Sequence, residues 1–406
     1  MNINELENKY INLLLNRCIN FDKSKSLFIN YQKENKTFID KLIKVAKKMG
    51  ISDIYLDEED EYKKHDALKK TPIEELSRLD FLNKQKWDEY ALKYASFLIL
   101  ETEFPGLMAD IDEKKLAKAA LISRKTRAIY KKLQLSFQIP WCMAPLPNKL
   151  WAKKIFPQYD ENTAYNKLLE SICYMCMIDK DNPILAWNLF LKEQNLIVKK
   201  LNNLEIKKLH YENNLGTNLT IELNQNTIWQ SAGSLNEKMI VNMPTYEIFT
   251  TPNYRKVNGI VYSSKPLIYN GGLINKFFIE FKDGKVANFD AEIGKSLLKG
   301  IIESDENSCF LGEVALVNYD SPISNTGLIF ETTLIDENAS CHLALGDGFI
   351  ECVNGCENMN DDELKQNGIN QSKTHVDFMV GTSDLTIEAD TKNGKVLIFK
   401  NGNFNI

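Results

Sequence analysis

Ser26-Leu27-Phe28-Ile29-Asn30-Tyr31 is a short run of large apolar and aromatic residues, the composition of a buried strand. Phe38–Met49, which follows it, spaces its apolar residues as one face of a helix and stops at Gly50, and Asp53–Leu56 predicts a second strand. A strand, a helix and a strand in that order form the unit of a parallel sheet, because parallel neighbours need a crossover between them. Outward from this unit the rhythm continues. Phe97–Leu100 predicts a short buried strand, Glu113–Leu133 a long basic amphipathic helix, and Leu135–Pro140 a further strand. Glu161–Met177 and Asn182–Asn203 predict helices, the second entered through Pro183. The first half is thus expected to be an α/β domain with a parallel sheet.

The pattern changes near residue 210. Thr217–Leu223 alternates like a strand, and Ile260–Ser263, Phe277–Lys282, Val286–Asp290, Glu313–Val317, His375–Val380, Leu385–Ala389 and Val396–Lys400 continue the series. Asp283-Gly284 and Asn393-Gly394 supply hairpin turns, and one amphipathic helix, Glu292–Glu303, interrupts. The expected organisation is an N-terminal α/β domain over residues 1–210 and a β-rich α+β domain over 211–406, with the boundary at about 205–215.

A chain of 406 residues is long enough for two cores, and 44% hydrophobic with 26% charged residues is the balance of a soluble globular protein. A net charge of −5 gives no footprint for nucleic acid or acidic lipid. Lys44–Lys48 and Lys69-Lys70 read as solvated helix faces. No apolar run approaches the roughly 20 residues of a membrane span. Met1–Glu7 lacks the basic and long apolar segments of a secretory signal, so the expected location is the cytoplasm. The eight cysteines then read as reduced thiols. Cys173-Tyr-Met-Cys176 has no matching second pair and reads as buried thiols, while Cys352 and Cys356 flank a glycine turn as bystanders.

Only four histidines occur, and two stand beside carboxylates in the last quarter. On a strand, His375 and Asp377 share one face about 7 Å apart and can converge on one ion or two neighbouring ions; the alternative is a hydrogen-bonded pair supporting the sheet. Glu313 opens the apolar run Leu311–Val317, where burial would demand a cation or donors and an edge position would not. Asp336–His342 holds two carboxylates, an amide and an imidazole. If helical it puts Asn338 and His342 on one face with Glu337 near the first turn, whereas capping by Asp336 or Asn338 is the plainer use of those side chains. Val241–Pro252 is a proline-bounded segment with one acid, Glu247. There is no glycine-rich phosphate loop, no Gly-x-Ser-x-Gly elbow and no His-Glu-x-x-His helix.

Taken together these segments resemble the thermophilic aminopeptidase family of metallopeptidases, which includes aminopeptidases T, S and II. The matching stretches are Asn242-Met-Pro-Thr245 with Glu247 and Phe249-Thr-Thr-Pro252, Leu311–Val317, Asp320-Ser-Pro-Ile-Ser324, Asp336–His342 with Leu343-Ala-Leu-Gly346, Glu357-Asn-Met359 and His375–Met379. Weaker similarity at Trp151–Pro157 and Thr217–Thr220 extends the likeness over nearly the whole chain. The resemblance implies a metal-binding catalytic domain in the second half. It implies two divalent ions (Zn, Co, Mn or Mg), peptide substrates trimmed from their N-termini, and a homodimer. It further implies a ligand set of Glu247, Glu313, His342, His375 and Asp377, with Glu337 as a further member and Glu313 as the bridge. Glu313 or Glu247 would also move the proton. Such ions lower the pKa of a bound water to about 7 and polarise the carbonyl.

This sequence departs from the family pattern at three points. Phe349 stands where family members carry a tyrosine, Tyr246 precedes Glu247 in place of an acid or glycine, and the stretch between His342 and His375 is about two residues longer. A catalytically weakened relative that binds metal or peptide is therefore the alternative to an active aminopeptidase, and another metallohydrolase or a structural metal site the remaining readings.

Overall fold

Leu27–Gln32 (β1), Ile54–Glu59 (β2), Ser96–Glu101 (β3) and Trp141–Pro145 (β4) form a four-stranded sheet in the order β2-β1-β3-β4, every pair parallel. The computed structural model describes residues 3–235, 238–269, 272–355 and 359–406. It divides the chain into two compact units, Met1–Leu189 with Asn236–Pro244, and Phe190–Leu235 with Thr245–Ile406. The parallel sheet belongs to the first. Its crossover helix, Lys36–Lys48, buries Phe38, Ile39, Leu42 and Ala46 and leaves Lys44, Lys47 and Lys48 exposed, as the 3.6-residue period requires. Phe28 from β1 and Phe97 from β3 stack at 4.8 Å, and Trp87 meets Tyr130 edge-on at 4.7 Å, which fixes one face of the sheet.

Two expectations for this unit are corrected. Glu113–Leu133 is two helices, Glu113–Lys125 and Ala128–Leu135. The break falls at Thr126, whose hydroxyl accepts the Lys84 amide proton and donates to the Leu82 carbonyl, tying the turn to another segment. The strand expected at Leu135–Pro140 begins instead at Trp141. Leu135 ends the second helix, and Phe137 turns the chain with φ +53° before it can extend. Cys173 and Cys176 are buried free thiols, as expected.

The second unit is built from antiparallel strands. Its nine-stranded sheet contains Lys208–Glu212 (β5), Asn218–Glu222 (β6), Val257–Tyr262 (β9), Leu267–Tyr269 (β10), Gly272–Lys282 (β11), Lys285–Ile293 (β12), Thr386–Thr391 (β16), Gly394–Lys400 (β17) and Asn403–Phe404 (β18). A five-stranded sheet holds Gln230–Ser231 (β7), Ile248–Thr250 (β8), Leu311–Leu316 (β13), His342–Gly346 (β14) and His375–Met379 (β15), in the order β15-β14-β13-β8-β7. One face of this smaller sheet (Val314, Leu316, Leu343, Leu345, Phe378) shares a core with Tyr211, Ile221, Phe277 and Ile387 of the larger one. Because side chains alternate along a strand, the polar residues between them are committed to the opposite face. The chain is therefore mixed α/β, a parallel sheet followed by antiparallel ones.

The helix expected at Glu292–Glu303 is shorter, Lys295–Ile302, because β12 runs on to Ile293 and Gly294, at φ +79°, turns the chain between them. The Asp336–His342 segment is not one helix. A single turn, Thr333–Asp336, passes into a 3-10 turn, Glu337–Ala339; Ser340 is extended, and His342 opens β14. The Asp336 carboxylate accepts the Phe330 and Thr332 amides, so it pins the approach to this turn. Cys356 and the Glu357-Asn358 motif lie outside the described residues. Among the described residues no helix is long and apolar enough to cross a membrane.

Candidate metal centre

Three neighbouring strands and one strand approach bring the polar residues of the small sheet together. Glu313 lies on β13, flanked by β8 and β14, and is only 3% exposed, so the edge-exposed alternative fails. Its partner across the ladder is Ala344, whose next partner is Asp377 on β15. His342 stands two residues before Ala344, and His375 faces Gly346. The middle strand thus contributes an alanine and a glycine between the larger side chains, leaving room above β14 for the flanking groups to converge. Glu247 enters from the residue before β8. The preceding Tyr246 amide donates to Asn338 Oδ1 at 2.7 Å, so Asn338 anchors this approach and does not cap a helix.

Glu313 divides its two oxygens. Oε1 lies 3.9 Å from His342 Nε2, which is itself 3.2 Å from Glu247 Oε2. Oε2 lies 3.1 Å from His375 Nε2, which is also 3.1 Å from Asp377 Oδ1. Two triads result, Glu247–Glu313–His342 and Glu313–His375–Asp377, each with its donor atoms within 4.8 Å of one another. Both imidazoles use their other nitrogen on a backbone carbonyl: His342 Nδ1 on Ser340 at 3.2 Å, and His375 Nδ1 on Asp347 at 2.8 Å. A carbonyl can only accept, so Nδ1 carries the proton and the neutral ring turns the lone pair of Nε2 toward the carboxylates. Lone pairs facing carboxylate oxygens at 3 Å require a proton or a metal cation between them. The donor set of imidazole nitrogen and carboxylate oxygen fits a divalent ion.

The electrostatics describe the same shortage of positive charge. Burial pushes the Glu313 carboxyl up to about 7, with Asp377 adding to the shift and the His375 hydrogen bond opposing it. Burial and the charges of Asp377, Glu247 and Glu313 hold Glu337 well above the carboxylate range. Burial opposes a charged His342, yet the Glu247 hydrogen bond and the Glu313 charge raise it to about 10. His375 is raised likewise, against burial, by Asp377 and Glu313. Burial raises Asp377, but the facing His375 outweighs it and depresses that carboxyl. Glu337 feels this cluster without belonging to either triad; its Oε1 accepts from Asn338 at 3.4 Å. The two Nδ1 acceptors, Ser340 and Asp347, had no signal in the sequence, because any residue supplies a carbonyl.

Phe349 lies beside the second triad. Its ring sits 5.1 Å from the His375 ring and 5.1 Å from Phe249, with Ala315 and Cys352 completing an apolar patch. Gly312, next to Glu313, is required by space: a Cβ there would meet the Asp347 carbonyl oxygen at 2.0 Å and that of Gly346 at 2.5 Å. Gly312→Ala is expected to cost about 1–3 kcal/mol as an overpacked site and to weaken metal binding by displacing Glu313. Urea unfolding alongside metal titration checks this; a variant equal to wild type in both would show that the strands absorb the methyl group.

The family model described as thermophilic metalloprotease (M29) matches residues 3–404. Aminopeptidase 2 of Geobacillus stearothermophilus is 36% identical over 400 residues, 98% of this chain and 97% of that protein. Aminopeptidase AmpS of Bacillus subtilis is 35% identical over 403 residues, 98% of each. The solved structure of wild-type AmpT from Thermus thermophilus matches with a TM-score of 0.90 at 27% identity, covering all of both chains.

Proposed function

Because the chain belongs to the thermophilic metalloprotease (M29) family, whose curated relatives are aminopeptidases, it is a peptide hydrolase, and we propose that it removes N-terminal residues from peptides with water activated by two divalent metal ions. The observation that carries this reading is the division of the Glu313 oxygens between two triads, each completed by an imidazole whose Nδ1 is tied to a backbone carbonyl. Glu247, His342 and one oxygen of Glu313 would hold one ion, and His375, Asp377 and the other oxygen its neighbour. Glu337 would add charge balance. Four carboxyl groups meet here, Glu247, Glu313, Glu337 and Asp377, and bound divalent cations would favour the ionised form of Glu313 and Glu337 that burial opposes.

Bound there, the ions would acidify a water and polarise the scissile carbonyl. The chain's own groups do the rest. Glu313 keeps the two halves of the centre together, and the backbone acceptors hold both imidazoles in the ligating tautomer. A carboxylate oxygen not engaged by an ion would take the proton from the attacking water and return it to the leaving amine; Glu247 keeps one, with Oε2 alone facing His342, whereas Glu313 would have to free one of its two. These residues lie in the second half of the chain, so catalysis is assigned to the domain expected over 211–406. The identity of the ion, among Zn, Co, Mn and Mg, is left open by a set of carboxylates and imidazoles that all four accept.

A homodimer in the cytoplasm completes the reading. Leu185, Leu189 and Leu196, each more than half exposed and spaced four and seven apart along helix Pro183–Asn203, support an apolar interface. Sedimentation of the purified protein as a monomer at micromolar concentration would remove this part.

The assay is release of p-nitroaniline from leucine p-nitroanilide with each metal. Chelation is expected to abolish it, and the native ion to restore it. Protons compete with metal here: the imidazoles hold theirs in the metal-free cluster, His342 to about pH 10, and Glu313 regains one near pH 7. Metal uptake at pH 7 should therefore release protons, and apparent affinity should fall as the pH drops through 7. Turnover indifferent to chelators would exclude the mechanism. A second reading, metal binding without efficient turnover, is favoured by one observation only, the phenyl ring of Phe349 beside His375.

A further inference from the structure

The parallel sheet of the first unit carries a cavity that the metal centre does not use. It has a volume of about 480 Å³ and opens at the carboxyl ends of the strands, where Gln32 ends β1, Glu59 ends β2 and Glu101 ends β3. In the order β2-β1-β3-β4 the chain leaves β1 toward one side and β3 toward the other, so the gap between β1 and β3 is the topological switch point. That is where open α/β sheets hold small ligands, and the volume suits one.

The charges lining this cavity fall into two classes. Lys64 is paired with Glu59 and Glu61, and Lys84 with Glu59 and Asp57. Among the described residues, Arg127, Lys131 and Glu101 have no ion pair. Arg127 and Lys131 are four apart on one helical turn and are only partly exposed, so two like charges face the same space with no ion pair of their own, although the Arg127 charge acts on Glu101 against its burial. Arg127 lies over the Trp87 ring at 5.1 Å, and its Nε is buried without a hydrogen-bond partner. Gln32 and Gln134, 8% and 3% exposed, each bury a side-chain oxygen that likewise has none. Burial, then the Arg127 charge, lowers Lys131 to about 8, and burial, then Glu103, raises Glu101 to about 7. Groups held away from their solution state at a stability cost, with polar atoms left unmet, mark a site awaiting its ligand.

From this arrangement we infer that the cavity binds a free α-amino acid, its carboxylate at Arg127 and Lys131 and its ammonium at Glu101. A ligand with anionic groups alone, such as phosphate, would face Glu59, Glu61 and Glu101 with nothing to offer them. Phe104 and Met108 give the wall an apolar part for an aliphatic side chain. The inference does not depend on the peptidase reading, although amino acids are the products of that reaction and a product-binding domain would report on them.

The test is calorimetric titration of the full-length metal-loaded protein with L-leucine, beside N-acetyl-L-leucine and inorganic phosphate, in wild type and in Arg127→Gln, Lys131→Met and Glu101→Gln. Saturable leucine binding is expected in wild type. Losing one charged contact should weaken it at least about tenfold in each variant, and blocking the ammonium should do the same. Glu101→Gln and Lys131→Met each remove an unpaired charge, so neither should lower the melting temperature, and they keep the test valid if Arg127→Gln loses its packing on Trp87. No saturable binding in wild type overturns the inference. So does binding that Lys131→Met and Glu101→Gln leave unchanged, which would put the leucine at the metal centre, or N-acetyl-L-leucine or phosphate binding as tightly as leucine.

Discussion

Glu313→Gln is expected to give a folded chain whose kcat on leucine p-nitroanilide has dropped by at least about 10²–10³-fold, the loss that follows removal of one preorganised electrostatic group. The substitution keeps the shape of the side chain and changes what its two oxygens can do. As a carboxylate, Glu313 offers one oxygen toward His342 and the other toward His375. The amide retains one oxygen and turns a donor toward the other triad, so the shared ligand is lost while the ladder of β13 is untouched. Stability should not suffer. Burial already raises the Glu313 carboxyl to about 7, so the fold gains nothing from its charge, and a neutral amide relieves that cost. An inactive variant that melted early would point to a structural role, and a fully active one would show that Glu313 neither bridges ions nor moves the proton.

Phe349→Tyr should act in the opposite direction, raising kcat by up to about 10²–10³-fold if the missing hydroxyl is an oxyanion donor. The geometry favours a short reach. Phe349 packs against His375 and Phe249 at 5.1 Å each, on the face of the small sheet that carries both triads, and it is half-buried, so a para hydroxyl adds polarity beside the centre without reshaping the sheet. Because a donor to the transition state leaves substrate binding alone, the gain should appear in kcat with KM little changed. Equal kcat in the two proteins would mean that the phenyl ring costs nothing here, and that another group in this chain meets the developing oxyanion.

The sequence carried the parts of this account that rest on periodicity and residue type. The β1 strand, its crossover helix and β2 were legible because apolar spacing reports burial directly. His375 and Asp377 were legible as one face of a strand, and they lie at 3.1 Å. The same logic fails for His342. Asp336–Cys341 has the polar richness of a capped helix, and only tertiary pairing of β14 between β13 and β15 extends the chain from His342 onward. Asn338 is a residue type that caps helices, yet its acceptor serves the Tyr246 amide 92 residues away. Long-range hydrogen bonds of this kind have no local signature. The break at Thr126 was invisible for the same reason, since its hydroxyl is satisfied by Lys84 and Leu82, 42 and 44 residues earlier in the chain. The cavity at the strand ends was equally hidden: Arg127, Lys131 and Glu101 are ordinary surface residue types until the sheet order brings them to one opening.

The central claim is that Glu313 joins two metal sites, and metal stoichiometry tests it most directly. Purified wild-type protein, stripped with chelator and titrated with Zn²⁺ or Co²⁺, should take up two ions per chain by elemental analysis, and Glu313→Gln should retain at most one. Uptake of a single ion by wild type, or two ions held as firmly by Glu313→Gln, would contradict the account.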